Sequence, residues 1–132
     1  MVGIVIVSHS FLLAQGLRQL AAELSRDVVK IAIAGGLDEN TIGTCAEKIH
    51  DAIREVYAAD GVLILFDLGS ALLSAQMAME MLPEEQRGNV KLSGAPMVEG
   101  TIVAVVEASL GHTLEEVHAA AGASRQMNKG VC

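Results

Sequence analysis

Two short polar clusters follow apolar runs in this sequence. Ser8-His9-Ser10 comes directly after Val2 to Val7, and Asp67-Leu68-Gly69-Ser70 directly after Val62 to Phe66. A neutral imidazole can attack phosphorus through one ring nitrogen while a carboxylate holds the proton on the other, fixing the tautomer and stabilising positive charge on the ring. His9 is the candidate nucleophile and Asp67 its orienting partner. Gly69 and Ser70 leave backbone N–H groups open at the start of a helix, where the dipole favours an anion such as a phosphoryl group. Ser8 and Ser10 flank His9 and could add hydrogen bonds to phosphoryl oxygens. Taken singly, each cluster also has an ordinary explanation: a histidine after a strand is often a solvated loop residue, and an aspartate before Gly-Ser often only caps a helix. The functional reading rests on the two clusters meeting.

The elements that would make them meet are legible from periodicity. Val2 to Val7 is an almost continuous β-branched run, suited to a strand covered on both faces of a parallel sheet. Leu13, Leu17, Leu20 and Leu24 recur at helical spacing; Val28 to Ala34 reads as a second strand, broken by Gly35-Gly36. Ile42, Ala46, Ile49, Ile53 and Val56 mark a second helix, Val62 to Phe66 a third strand, and Ala71 to Leu82 a helix ended by Pro83. Val90 to Leu92 gives a short fourth strand, Ser93 to Glu99 a loop, and Gly100 to Leu110 and Thr113 to Gln126 two last helices. This alternation predicts a doubly wound α/β fold, with a mainly parallel four-stranded sheet and helices on both faces. Right-handed crossovers permit the order 2-1-3-4, whose switch point falls between strands one and three. His9 and Asp67 then converge at the mouth of that crevice. With no internal linker or repeat, residues 1–126 are expected to form one domain and 127–132 a flexible tail.

Composition narrows the partners. Of 132 residues, 52% are hydrophobic but only 2% aromatic, so the core must be aliphatic; the formal charge of −7 disfavours nucleic acid and anionic lipid. No apolar run is long enough to cross a bilayer and the N-terminus lacks a signal-peptide pattern, so the chain is expected in the cytoplasm. Cys45 reads as a packed small hydrophobe in a helix and Cys132 as a terminal thiol. His50, His112 and His118 read as surface residues without metal-ligand spacing, and Met77, Met79 and Met81 as core or dimer contacts. Neither a P-loop nor a dinucleotide fingerprint occurs, so no cofactor is expected.

Four motifs are recognisable together: Ile4 to Ser10, Gly35-Gly36 with Gly43-Thr44, Phe66 to Ser70, and Ala95-Pro96-Met97-Val98-Glu99-Gly100. In order, and over about residues 1 to 124, they resemble the mannose-family IIA domains of the bacterial phosphotransferase system, nearest to the branch serving the phosphoenolpyruvate-dependent dihydroxyacetone kinase. The resemblance implies a phosphotransferase subunit whose His9 accepts a phosphoryl group from the phosphohistidine of HPr, itself charged by enzyme I. It further implies transfer to ADP held on the kinase's nucleotide subunit, and a homodimer. Two departures stand out. Gly43-Thr44 is followed by Cys45 where the family leads one to expect serine, and a helix and short tail stand where mannose-type domains exchange an extra strand. Competing expectations are a IIA component of a mannose-type sugar transport system, and a non-enzymatic flavodoxin-like binding module in which His9 and Asp67 only cap helices.

Overall fold

The computed structural model describes residues 1–131; Cys132, read above as a terminal thiol, lies outside the described residues. Strands β1 (Gly3–Ser8), β2 (Ile31–Gly35), β3 (Val62–Phe66) and β4 (Val90–Ser93) alternate with α1 (Phe11–Leu24), α2 (Ala46–Val56), α3 (Ala71–Glu80), the single turn α4 (Glu84–Arg87), α5 (Met97–Ser109) and α6 (Leu114–Ala123). A 3₁₀ turn, Ser124–Gln126, follows α6. All three strand pairings are parallel and the order is β2-β1-β3-β4, as the sequence predicts.

Alternation along the strands decides which helix lies where. Val2, Ile4 and Ile6 of the first run and Leu63 and Leu65 of β3 face α1, α5 and α6, whereas Val5, Val7, Val62 and Ile64 face α2 and α3. Every residue of β1 is buried, the burial that its β-branched run implies. The chain therefore leaves β1 toward one face and β3 toward the other, which makes their carboxyl ends the switch point.

Several details differ from the sequence reading. On α1 the buried line is Ala14, Leu17 and Ala21, while Leu12, Leu13, Leu20 and Leu24 stand exposed. Leucine and alanine lines share one helical period, and close approach to the sheet selects the small one. A Cβ added at Gly35 of β2 would lie 2.8 Å from the Phe11 Cα and 2.9 Å from the Ala14 Cβ. Ile42 falls in the loop before α2 and is exposed, and Cys45 is the half-buried N-cap of α2 rather than a helix-interior residue. Helix α5 begins three residues earlier than expected, at Met97 behind the N-cap Pro96, because proline's fixed φ suits a helix start. Helix α6 begins behind Thr113, whose side chain and that of Glu116 form a reciprocal capping box. Met79 packs against the core, while Met77 and Met81 are exposed.

Two of the three remaining histidines, His50 and His118, are less superficial than expected, while His112 is 40% exposed. His50 lines a groove with Tyr57, Met81 and Pro83 and has 15% of its side chain exposed, His112 pairs with Glu107, and the Nδ1 of His118 is shielded and has no hydrogen-bond partner among the described residues. Imidazole buries its apolar body along a helix flank even where the flanking residues are charged. In the tail, the Lys129 ammonium lies 2.7 Å from the Glu99 carboxylate of α5.

The close packing of α1 on β2 has a direct consequence. Gly35→Ala, which would press a methyl group into backbone atoms of α1, is expected to lower stability by about 1–3 kcal/mol, measured by urea unfolding. Wild-type stability in the variant would show that α1 can shift freely.

Candidate functional site

The ladder sets the two polar clusters side by side. Val7 pairs with Phe66, and the Asp67 N–H continues the pattern by donating to the Val7 carbonyl at 3.2 Å. The Asp67 carboxylate thus emerges level with the first residues beyond β1. It accepts four hydrogen bonds. The Ser8 hydroxyl (2.8 Å) and His9 N–H (2.9 Å) donate to Oδ2, and the His9 ring at Nδ1 (2.8 Å) and Leu68 N–H (2.7 Å) to Oδ1.

Burial alone would raise the Asp67 pKa, but the donated bonds from His9, Ser8 and Leu68 outweigh it and hold the carboxyl below its ordinary value. An ionised carboxylate 2.8 Å from Nδ1 requires that nitrogen to carry a proton. In the neutral ring the free lone pair is then on Nε2, where Ser70 Oγ lies 2.8 Å away and donates to it. Asp67, His9 and Ser70 form one hydrogen-bonded chain that leaves the lone pair of the neutral ring on Nε2.

The expected site residues take distinct places. Ser8 is buried, its hydroxyl donating to Asp67 and accepting from the Ser10 N–H at 3.0 Å, so it braces the carboxylate. Ser10 caps α1, its Oγ accepting from the Leu13 N–H at 3.2 Å. Gly69 and Ser70 lie exposed just before α3, and among the described residues neither of their N–H groups finds an acceptor. The amino ends of α1 and α3 therefore both open near His9.

The β2–α2 connection encloses the backbone from the other side. Gly36 N–H donates to the Ser8 carbonyl at 3.0 Å and Gly43 N–H to the His9 carbonyl at 2.9 Å. Gly36, at φ +70°, has carbonyl oxygens of Asp38 and Thr41 where a side chain would go. One contact has no counterpart in the sequence reading: Thr44 Oγ1 lies 2.9 Å from Ser74 Oγ. Its available signal was the Ser70, Ser74 spacing on one helix face.

A groove of 900 Å³ along α1 and the β2 edge, past Phe11, Arg18 and Ile33, does not include His9. The His9 side chain lies at the carboxyl end of β1 with 18% of its surface exposed. Among the described residues no group of three His, Cys, Asp or Glu side chains could hold a metal ion, and no helix is long and apolar enough to cross a membrane.

Fold and site together define a parallel α/β domain carrying a carboxylate-oriented histidine at its switch point. The chain belongs to the family described as PTS system fructose IIA component, which matches residues 3–118. Over 120 residues it is 49% identical to the "PEP-dependent dihydroxyacetone kinase, phosphoryl donor subunit DhaM" of Escherichia coli K12, covering 89% of this chain and 25% of that protein. The chain thus spans a quarter of that relative. Shorter relatives are matched along most of their length: a phosphoryl donor subunit DhaM of dihydroxyacetone kinase 2 in Listeria innocua (35% identity, 89% of this chain, 94% of the relative). A "PTS-dependent dihydroxyacetone kinase, phosphotransferase subunit DhaM" of Lactococcus lactis is 37% identical, over 87% of this chain and 89% of the relative. The crystal structure of a protein of unknown function superposes with a TM-score of 0.84 at 29% identity, each chain covered completely. A sigma-54 interaction domain protein from Enterococcus faecalis shares the fold alone, at 19% identity, TM-score 0.69, and coverage of 93% and 89%. The resemblance read from the four motifs is borne out, including its nearest branch.

Because Asp67 titrates below its ordinary range when folded, its contribution to stability is complete above roughly pH 4 and is lost as pH falls through the lowered folded value. Asp67→Asn should therefore flatten the acid limb of stability, read from urea midpoints between about pH 2.5 and 6. An acid limb parallel to that of the wild type would mean that Asp67 does not carry it.

Proposed function

We propose that this chain is a phosphohistidine carrier, accepting a phosphoryl group on His9 Nε2 from phospho-HPr and passing it to ADP bound on the nucleotide subunit of a dihydroxyacetone kinase. The observation that carries the reading is the 2.8 Å contact between His9 Nδ1 and Asp67, which leaves the lone pair on Nε2, where, among the described residues, Ser70 alone holds it. The names of the relatives support the choice of acceptor.

In the loading step the Nε2 lone pair forms the N–P bond while the donor's N–P bond breaks and the donor ring keeps the electron pair. Asp67 balances the positive charge that develops on the His9 ring. Ser70, displaced from Nε2, turns its O–H to a phosphoryl oxygen, joined by the N–H groups of Gly69 and Ser70. In the second step a β-phosphate oxygen of ADP attacks phosphorus and the bond to Nε2 breaks. In-line transfer asks little of the protein beyond positioning and charge stabilisation. On this reading the chain is a phosphotransferase subunit that works in the cytoplasm, pairs with a second copy of itself and needs no cofactor of its own. The family's description as a fructose IIA component favours one other reading, a sugar-transport IIA domain whose acceptor is a transporter domain.

The test is incubation with phosphoenolpyruvate, enzyme I and HPr, followed by intact mass at neutral pH. The wild type should gain one phosphoryl group and His9→Ala none, and adding the ADP-loaded kinase subunit should discharge the adduct with formation of ATP. No adduct on folded wild-type protein would overturn the carrier reading; discharge only by a sugar-transport domain would overturn the acceptor.

A further inference from the structure

The β2–α2 connection and α3 approach the switch point from different parts of the chain, and two partly buried hydroxyls join them: Thr44 Oγ1 and Ser74 Oγ, 2.9 Å apart. Among the described residues this is the one side-chain hydrogen bond between that connection and α3. Its neighbours make it part of a closed circuit. Gly43, next to Thr44, donates its N–H to the His9 carbonyl. Ser70, four residues before Ser74 and so on the same helix face, holds His9 Nε2. His9 is gripped by its backbone from one side and by its ring from the other, and the Thr44–Ser74 bond closes the ring between the two grips.

The reaction must break one link of that circuit. The lone pair of Nε2 that accepts the Ser70 proton is the same pair that forms the bond to phosphorus, so Ser70 lets go of the nitrogen as the phosphoryl group arrives. The amino end of α3, with its open Gly69 and Ser70 N–H groups, then loses its direct hold on the ring when it is needed against the phosphoryl oxygens. The Thr44–Ser74 link is untouched by that exchange.

We propose that Thr44 and Ser74 are positioning residues for phosphoryl transfer, a hydroxyl clasp that keeps the amino end of α3 in register with His9 while Ser70 is displaced. This rests on the reading of His9 as the phosphoryl acceptor. Neither residue touches the reacting atoms; both act through the backbone around His9 and through the placement of Ser70.

The test is single-turnover loading of the full chain by phospho-HPr, quenched and read by intact mass, for Thr44→Val, Ser74→Ala, the double variant and Thr44→Ser. Each loss of a hydroxyl should slow the maximal rate roughly ten-fold, the scale expected when a reacting group is slightly misplaced. The double variant should be no slower than either single one, the half-saturating HPr concentration should stay unchanged, and Thr44→Ser should restore the rate. Rates equal to wild type, losses that multiply in the double variant, or a loss confined to half-saturation would overturn the clasp. If phospho-HPr fails to load the wild type, the carrier reading fails, and the clasp is judged by water exchange of the His9 Nδ1 proton in NMR spectra. That exchange should quicken in Thr44→Val and recover in Thr44→Ser; exchange equal in all three would overturn it. Should Thr44→Val fail to fold, Ser74→Ala against wild type decides by the same two readouts.

Discussion

The two oxygens of Asp67 accept hydrogen bonds from the Ser8 hydroxyl, the His9 backbone, the His9 ring and the Leu68 backbone. Three of these donors come from the far end of β1, nearly sixty residues away in sequence, so the carboxylate ties together the carboxyl ends of the two central strands. It can do so only because the pairing of Val7 with Phe66 brings those ends level. A one-residue slip would turn every side chain of β3 to the opposite face and break the core and the site together. Register, carboxylate and ring tautomer form one dependency. The aliphatic strand cores fix the first, and the first fixes the rest.

The same economy of distance governs α1. Its alanine line and the absence of a side chain at Gly35 let the helix lie against β2 at backbone contact. That closeness seats the first turn of the helix against Gly35, and its corollary is a row of leucines turned outward. A helix packed through leucines instead would stand farther from the sheet and could not meet β2 at backbone contact.

Much of this was legible in the sequence. The strand order and the meeting of His9 with Asp67 follow from chain path and connection rules, which depend on long runs of one residue character. The face of α1 was not legible, because Leu13-Leu17-Leu20-Leu24 and Ala14-Leu17-Ala21 satisfy the same period and only the spacing between layers decides. The burial of His50 and His118 escaped for a related reason: side chains on a helix flank take their surroundings from elements remote in sequence. The brace at Ser8 and the Thr44–Ser74 contact lay deeper still. Serine and threonine have many possible partners, and no local pattern names the right one.

The hydrogen-bonded chain from Asp67 through His9 leaves a single lone pair on Nε2, outside the 900 Å³ groove along α1. If that atom serves both a donor protein and an acceptor protein, the two cannot be served together, and the carrier becomes a turnstile. Occupancy by one side is time denied to the other. Tight binding by either partner then becomes a liability, because a donor that lingers after unloading blocks the acceptor as surely as an inhibitor. A single shared atom favours brief encounters, and throughput becomes a matter of departure as much as of chemistry.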